Sequence, residues 1–204
     1  MNRFSQSLRL AALLGLAAIA AAACSAAAPQ VTYYSLLATN TAPQIAAARH
    51  EKLVLSVGPV VIPDVLKKSQ IATDGTDGRY QLSEFHRWVG EVDRELARAV
   101  AEQLAARLGT EQVAVFPWDQ HLQPSFRVLL DVLAMGGEPG REAKLVVRWS
   151  LVDPQGKMAP VIRRSDLSEQ PADAGFGAWV KAQQHNISRL SEEIAAAIKE
   201  TGRL

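Results

Sequence analysis

Hydrophobic positions recur with helical spacing in two long segments of the chain. Apolar residues return every four positions over 91–108, and over 174–200 they alternate spacings of three and four, interrupted only by Gln183. Gly109 follows the first segment at the position of a left-handed helix cap. The pattern therefore predicts two long amphipathic helices. On the first helix, the side chains expected to face solvent are Arg94, Glu95, Arg98 and Glu102.

Shorter runs of β-branched, aromatic and alternating apolar residues predict the strands. These runs lie at 31–37, 53–57, 70–73, 80–82, 113–116, 126–134, 144–153 and 158–167. Two Asp-Gly pairs between the third and fourth runs predict a hairpin. Each strand has one apolar face and each helix has one apolar stripe, which predicts an α+β fold in two layers. Its sheet is expected to be mainly antiparallel, with both helices packed on one face.

The start of the chain has the pattern of a bacterial lipoprotein signal. Arg3 and Arg9 precede the apolar run 10–23, which is shorter than the roughly 20 residues that span a membrane. The run ends at Cys24 in a sequence that resembles a lipobox, with Ala where Leu is usual. We expect a signal peptide at 1–23, lipid attachment such as palmitate at Cys24, a lipidated tether at 24–30 and a single domain at 31–204. The alternatives are a signal peptide cut at an Ala-x-Ala site and an uncleaved anchor.

Composition and charge narrow the possible functions. The 204 residues suit one ordinary domain, and a net charge of +1 gives no electrostatic case for nucleic acid. The single cysteine excludes an internal disulfide and a multi-thiolate zinc site. The histidines lie far apart, and there is no phosphate-binding glycine loop, nucleophile elbow or marked carboxylate pair. We therefore expect a binding protein without catalytic residues, metal or other cofactor.

Two segments carry residues that suit contact with a partner. Pro59 cannot donate to a strand ladder, so segment 58–63 should bend or lie at a sheet edge. Segment 84–88 combines two aromatics with an arginine, and such residues are frequent in interface hot spots. Alternatively, its aromatics close the core between helix and sheet while the arginine pairs with a carboxylate; the same ambiguity holds for 116–118. The candidate partner-binding residues are Gly58, Pro59, Ile62, Pro63, Gln70, Glu84, Arg87 and Trp88.

A series of short motifs follows in order along nearly the whole chain after residue 30. The motifs are Tyr33-Tyr34-x-Leu36, Val57-Gly58-Pro59-Val60-x-Ile62-Pro63, Ser69-Gln70-Ile71-Ala72-Thr73, Glu84-x-x-Arg87-Trp88, Val115-x-Pro117-Trp118 and Ala143-x-Leu145-x-x-Arg148-Trp149-x-Leu151. The series resembles the ABC-type transport auxiliary lipoproteins, and their PqiC branch in particular.

This resemblance implies a lipoprotein anchored in the outer membrane, with its domain facing the periplasm. Its implied partner is an MCE-domain periplasmic protein that carries phospholipids between the membranes, together with an inner-membrane permease or multispan protein. The chain would dock that conduit without catalysis and support membrane integrity, and a homo-oligomer would match the symmetry of the conduit. A second interpretation is a lipoprotein that assists outer-membrane assembly or cell-wall synthesis by binding another envelope protein. A third is a periplasmic hydrolase.

Overall fold

The computed structural model describes residues 29–37, 50, 52–74, 78–118 and 121–203. The predicted signal peptide and Cys24 lie outside these residues. One compact unit spans Val31–Leu204. Its strands are β1 (Thr32–Tyr34), β2 (Leu55–Val61), β3 (Gln70–Asp74), β4 (Tyr80–Trp88), β5 (Val113–Val115), β6 (Phe126–Gly136), β7 (Ala143–Val152) and β8 (Val161–Glu169). Its helices are α1 (Val92–Leu108) and α2 (Phe176–Glu200), and a short 3-10 helix spans Asp64–Lys67.

The strands form two sheets, and the α+β class is confirmed. The larger sheet has the order β5-β2-β6-β7-β8, and the smaller has the order β1-β4-β3. Antiparallel pairing joins β3 to β4, β6 to β7 and β7 to β8, as the mainly antiparallel prediction requires. However, β2 runs parallel to both β5 and β6, and β1 runs parallel to β4. Parallel neighbours need a long connection between them. In the chain, the hairpin β3–β4 and helix α1 follow β2 before β5 and β6 begin.

Both helices pack as a layer on the larger sheet. Helix α1 contacts β2 and β5, α2 contacts β7 and β8, and the two helices contact each other. Alternate residues of the strands point into this core, which also holds Leu96 and Leu104 of α1 and Leu190 and Ile194 of α2. Gly109 caps α1 with a φ of 63° and donates its N–H to the Ala105 carbonyl, as predicted. Residues other than glycine rarely adopt this left-handed conformation.

Two polar side chains from the helices hold the end of β1. Glu95, which the sequence pattern placed in solvent, is buried and accepts hydrogen bonds from Ser35 Oγ (2.5 Å) and the Leu36 N–H (3.2 Å). Gln184 Nε2 donates to the carbonyls of Ser35 (3.0 Å) and Leu37 (3.3 Å). The prediction for Glu95 was wrong because the helical pattern alone does not show that the residues just after β1 lie against α1.

A second polar contact fastens the end of the chain to the turn after β7. The buried Asp153 carboxylate accepts hydrogen bonds from the backbone N–H of Gln155 (2.9 Å) and Lys157 (3.1 Å) and from Arg203 Nη1 (2.5 Å). Burial of the carboxylate by itself raises the pKa of Asp153, but these hydrogen bonds and the Arg203 charge outweigh burial. The pKa of Asp153 is therefore lowered from its ordinary value.

We expect Asp153→Asn to remove a pH-dependent part of the stability. Because the pKa of Asp153 is lower in the folded than in the unfolded chain, its contribution is complete above the unfolded pKa of about 3.9 and is lost as the pH falls through the folded value. Urea midpoints measured from pH 7 to pH 3 should differ most between wild type and variant at neutral pH and converge on acidification. Glu111→Gln, at an exposed loop carboxylate, is the control. A constant difference at every pH would contradict the assignment.

Candidate functional site

A cleft of about 440 Å³ opens beside the first turn of α1. It lies where β2 passes the end of β5, and the short 3-10 helix contributes to its rim. The lining residues come from β2 (Gly58, Pro59, Val60), from the segment after β5 (Phe116, Pro117), from the 3-10 helix (Lys67) and from the start of α1 (Glu91, Val92, Asp93, Arg94, Ala97).

The cleft arises because β5 is shorter than β2. The last hydrogen bond between them joins the Phe116 N–H to the Val57 carbonyl at 2.9 Å. Among the residues that the structure describes, the second half of β2 therefore pairs with β6 alone. A register shift between Val57 and Val60 bends β2 at this point. Gly58 has a φ of +108°, and a Cβ there would lie 2.8 Å from the Phe116 Cβ. The bend and the edge position predicted from Pro59 are thus present in the second half of the strand, while its first half is interior.

Two ion pairs lie at the rim of the cleft, and the exposed surface of the cleft is more apolar than polar. Lys67 Nζ lies 2.6 Å from an Asp64 carboxylate oxygen, and this hydrogen bond raises the pKa of Lys67. Arg94 Nε lies 2.8 Å from a Glu91 carboxylate oxygen. Phe116 is 49% exposed and meets Trp118 edge to face, with ring centroids 5.4 Å apart. Such a cleft suits an apolar protein segment better than a strongly charged ligand.

The predicted partner-binding residues separate into surface and core positions. Trp88 is only 4% exposed and lies against Trp179, with ring centroids 6.2 Å apart. Ile62 is also buried. Both residues therefore pack in the core, and the core interpretation holds for Trp88. It does not hold for Phe85, which is 39% exposed.

The remaining predicted residues lie at or next to the accessible surface. Gly58 and Pro59 line the cleft, and Pro63 precedes the 3-10 helix. Gln70 and Arg87 are partners in the β3–β4 register, and Glu84 is exposed. The structure thus brings Gly58 and Pro59 together with Phe116, while Gln70, Glu84 and Arg87 lie in the smaller sheet.

Other surface residues escaped the sequence analysis. Lys67 and Arg94 line the cleft although they are far apart in sequence, and no sequence signal connects them. Tyr33 and Val89 are exposed apolar residues beside Arg87. The alternation of Val31 and Tyr33 with Thr32 would have indicated an apolar outer face of β1.

The described residues contain neither a metal-binding cluster nor a helix that could span a membrane. Among residues 29–37, 50, 52–74, 78–118 and 121–203, no group of three or more His, Cys, Asp or Glu is placed to hold a metal ion. In the same ranges, neither helix is long and apolar enough to cross a membrane.

Comparison with protein families decides the identity of the domain. The model of the ABC-type transport auxiliary lipoprotein component matches residues 34–195, which include every element from β2 to most of α2. The chain belongs to this family. The members of this family are auxiliary lipoproteins of ABC-type transport, which indicates an accessory role in a transport system. No curated protein matches the sequence of this auxiliary lipoprotein.

Solved structures share the fold of this auxiliary lipoprotein. A crystal structure of an uncharacterized protein has a TM-score of 0.67 at 20% identity and covers 83% of this chain and 99% of its own. A protein from Xanthomonas campestris has a TM-score of 0.63 at 13% identity, with 85% of this chain and 100% of its own covered. At these identities the likeness establishes the fold alone.

Proposed function

We propose that the protein is a non-catalytic outer-membrane lipoprotein of an MCE-type system that transports phospholipids between membranes. Its role is to dock the periplasmic conduit at the outer membrane and thereby support membrane integrity. The match of residues 34–195 to the transport auxiliary lipoproteins carries this proposal. The proposed partners are the MCE-domain protein and its inner-membrane permease or multispan protein.

The proposed anchor is Cys24, acylated after removal of signal peptide 1–23 and followed by tether 24–30. Ser25 stands directly after this cysteine, where the lipoprotein pattern has Asp in proteins kept at the inner membrane. This position favours the outer membrane. Domain 31–204 then faces the periplasm, and several copies arranged around a symmetric conduit would form a homo-oligomer.

The proposed docking site for the conduit is the cleft with the adjoining free edge of β2. An extended segment can add to an unpaired strand edge through main-chain hydrogen bonds, and a neighbouring apolar pocket can select its side chains. Residues beyond Gly58 offer that edge, and Phe116 with Pro117 offers the pocket. Because both basic residues of the rim, Lys67 and Arg94, are in ion pairs, we expect apolar contact to be the main source of affinity.

Substitution of Phe116 tests the docking site. We expect Phe116→Ser to weaken capture of the MCE-domain protein by the full-length lipoprotein in membrane extracts. Truncating a central aromatic anchor costs about 2 kcal/mol or more, which is roughly a 30-fold loss of affinity. The measurement is quantitative co-purification at several concentrations of the partner. Ile162→Ser is the matched control because Ile162 is 65% exposed and lies on β8, at the other edge of the larger sheet.

Equal capture by wild type and Phe116→Ser, with unchanged circular dichroism, would contradict the docking site. Capture of an outer-membrane barrel or a cell-wall synthase in place of the MCE-domain protein would instead favour the second interpretation from the sequence. That outcome would overturn the transport role while leaving the cleft as a binding site.

A further inference from the structure

One side of the smaller sheet is apolar and uncovered. We define the β1–β4 outer face by Val31, Tyr33, Phe85, Arg87 and Val89. Tyr33 and Arg87 are register partners in the parallel pair β1–β4, so their side chains lie on the same side. Tyr33 is 59% and Val89 is 62% exposed, and Val31 and Phe85 are exposed as well. This face therefore presents a small group of apolar side chains around one arginine.

The opposite side of the same strands faces the protein interior. His86 stacks on Phe176 with ring centroids 4.1 Å apart, and its Nδ1 lies 3.1 Å from Tyr34 Oη. Trp88 packs against Trp179. Since neighbouring residues of a strand point to opposite sides, these contacts direct Phe85 and Arg87 outward. The exposure of the outer face thus follows from the strand geometry.

Arg87 is the charged centre of the face, and among the described residues it has no partner. Its half-buried side chain makes no hydrogen bond or ion pair with any residue that the structure describes, and its Nε atom is buried without an acceptor. The planar guanidinium group in apolar surroundings is stabilised by an anionic group such as phosphate, two of whose oxygens it can bind with parallel hydrogen bonds. The face therefore combines apolar side chains with an unused phosphate-binding group.

The proposed lipid anchor limits how far this face can lie from the bilayer. Between the proposed acylated Cys24 and Val31 lie only a few residues, and an extended chain covers at most about 3.6 Å per residue. The first residue of the face is therefore held within about 25 Å of the bilayer. Tyrosine and other aromatic side chains favour the boundary between headgroups and acyl chains, and arginine can extend to the phosphates there.

We propose that the β1–β4 outer face rests on the phospholipid surface of the membrane, with Tyr33, Phe85 and Val89 at the headgroup boundary and Arg87 bound to lipid phosphate. This inference rests on the proposed lipidation of Cys24. It assigns Arg87 to lipid binding and the cleft to binding of the protein partner. The face and the cleft adjoin through residues 89–91. The domain would thus have a fixed orientation on the bilayer.

Fluorescent labels at single introduced cysteines test the orientation in the full mature lipoprotein. Acylation converts Cys24 to a thioether that does not react with maleimide, so Tyr33→Cys, Phe85→Cys and the control Ile162→Cys each carry one label. The labelled proteins are reconstituted into vesicles of phosphatidylethanolamine and phosphatidylglycerol. We expect the nitrobenzoxadiazole emission at positions 33 and 85 to shift to shorter wavelength and to be quenched by lipids that carry a spin label. Position 162 should give neither effect.

A second substitution tests the role of the arginine. Arg87→Glu should reduce the lipid quenching at position 33, while Arg98→Glu, at an exposed arginine of α1, should leave it unchanged. Equal quenching at positions 33, 85 and 162 would overturn the inference. A spectral shift without quenching by lipid would mean that a protein covers the face, and would overturn it too.

Failure of lipidation gives a separate result. If the wild-type protein itself takes up the maleimide label, the Cys24 thiol is free and the proposed anchor is wrong. The same single-cysteine variants are then labelled in a Cys24→Ser background and mixed with the vesicles. Quenching at positions 33 and 85 would still support the face as a lipid-binding surface, and its absence would overturn the inference.

Discussion

Replacement of Cys24 with Ser should move the protein from the membrane fraction to the aqueous phase of the periplasm. Each buried methylene of an acyl chain contributes about 0.8 kcal/mol, and a single chain gives only marginal binding, so stable anchoring needs more than one. Serine offers no thiol for the first of these chains. We expect the large majority of wild type and only a small minority of the variant to sediment with membranes, measured by fractionation and immunoblotting.

The neighbouring substitution Ser25→Ala serves as the control, because it leaves the thiol in place. The acyl group itself is measured by mass spectrometry of the N-terminal peptide. Equal sedimentation of wild type and Cys24→Ser would contradict the lipid anchor. An intact N-terminus ahead of Cys24 would favour the uncleaved anchor that the sequence left open.

The largest loss of stability in the smaller sheet is expected for Trp88→Ala. Trp88 is almost fully buried against Trp179, so truncation removes apolar contacts and leaves a cavity between β4 and α2. Substitutions of this kind cost about 3–5 kcal/mol of the free energy of unfolding. The measurement is urea denaturation monitored by far-UV circular dichroism. This signal reports the secondary structure and can therefore be compared between the variants.

Phe85→Ala is the matched control for this prediction. It removes an aromatic ring from the same strand, three positions earlier, but Phe85 is exposed on the β1–β4 outer face. We expect it to change the free energy of unfolding by less than about 1 kcal/mol. Equal losses for the two variants would contradict the division between a core tryptophan and a surface phenylalanine.

The helices and the hairpin could be predicted because their signals are local. The apolar spacing of α1 and the glycine after it describe one helix and its end, and Gly109 does adopt the left-handed conformation. Gln183 is instructive because it interrupts the apolar row of α2 and is nevertheless fully buried. Its Nε2 donates to the carbonyls of Gly136 and Lys144 at the β6–β7 turn. A polar residue in the apolar stripe of a helix can thus be buried because it hydrogen-bonds to backbone carbonyls at the end of a strand.

The pairing of distant strands and the buried polar contacts could not be predicted from such local signals. A single sequence shows neither that β2 enters between β5 and β6 in parallel nor that the end of β1 reaches Glu95. The candidate site depends on the same long-range geometry, because Phe116 and Pro59 meet only when β5 lies beside β2. The sequence pattern predicted a strand only at 80–82, whereas β4 continues to Trp88, and the alternation of strand faces decides which of Arg87 and Trp88 is accessible.

The hydrogen bonds at the end of β1 have a mechanical consequence. With the proposed lipid anchor at Cys24, a movement of the membrane relative to the domain pulls on the chain ahead of β1, and β1 is only three residues long. Glu95 of α1 and Gln184 of α2 hydrogen-bond to Ser35 and Leu36 just beyond this strand. Tension on the proposed tether therefore loads β1 first, and the hydrogen bonds to both long helices just beyond the strand resist further extraction of the chain from the domain.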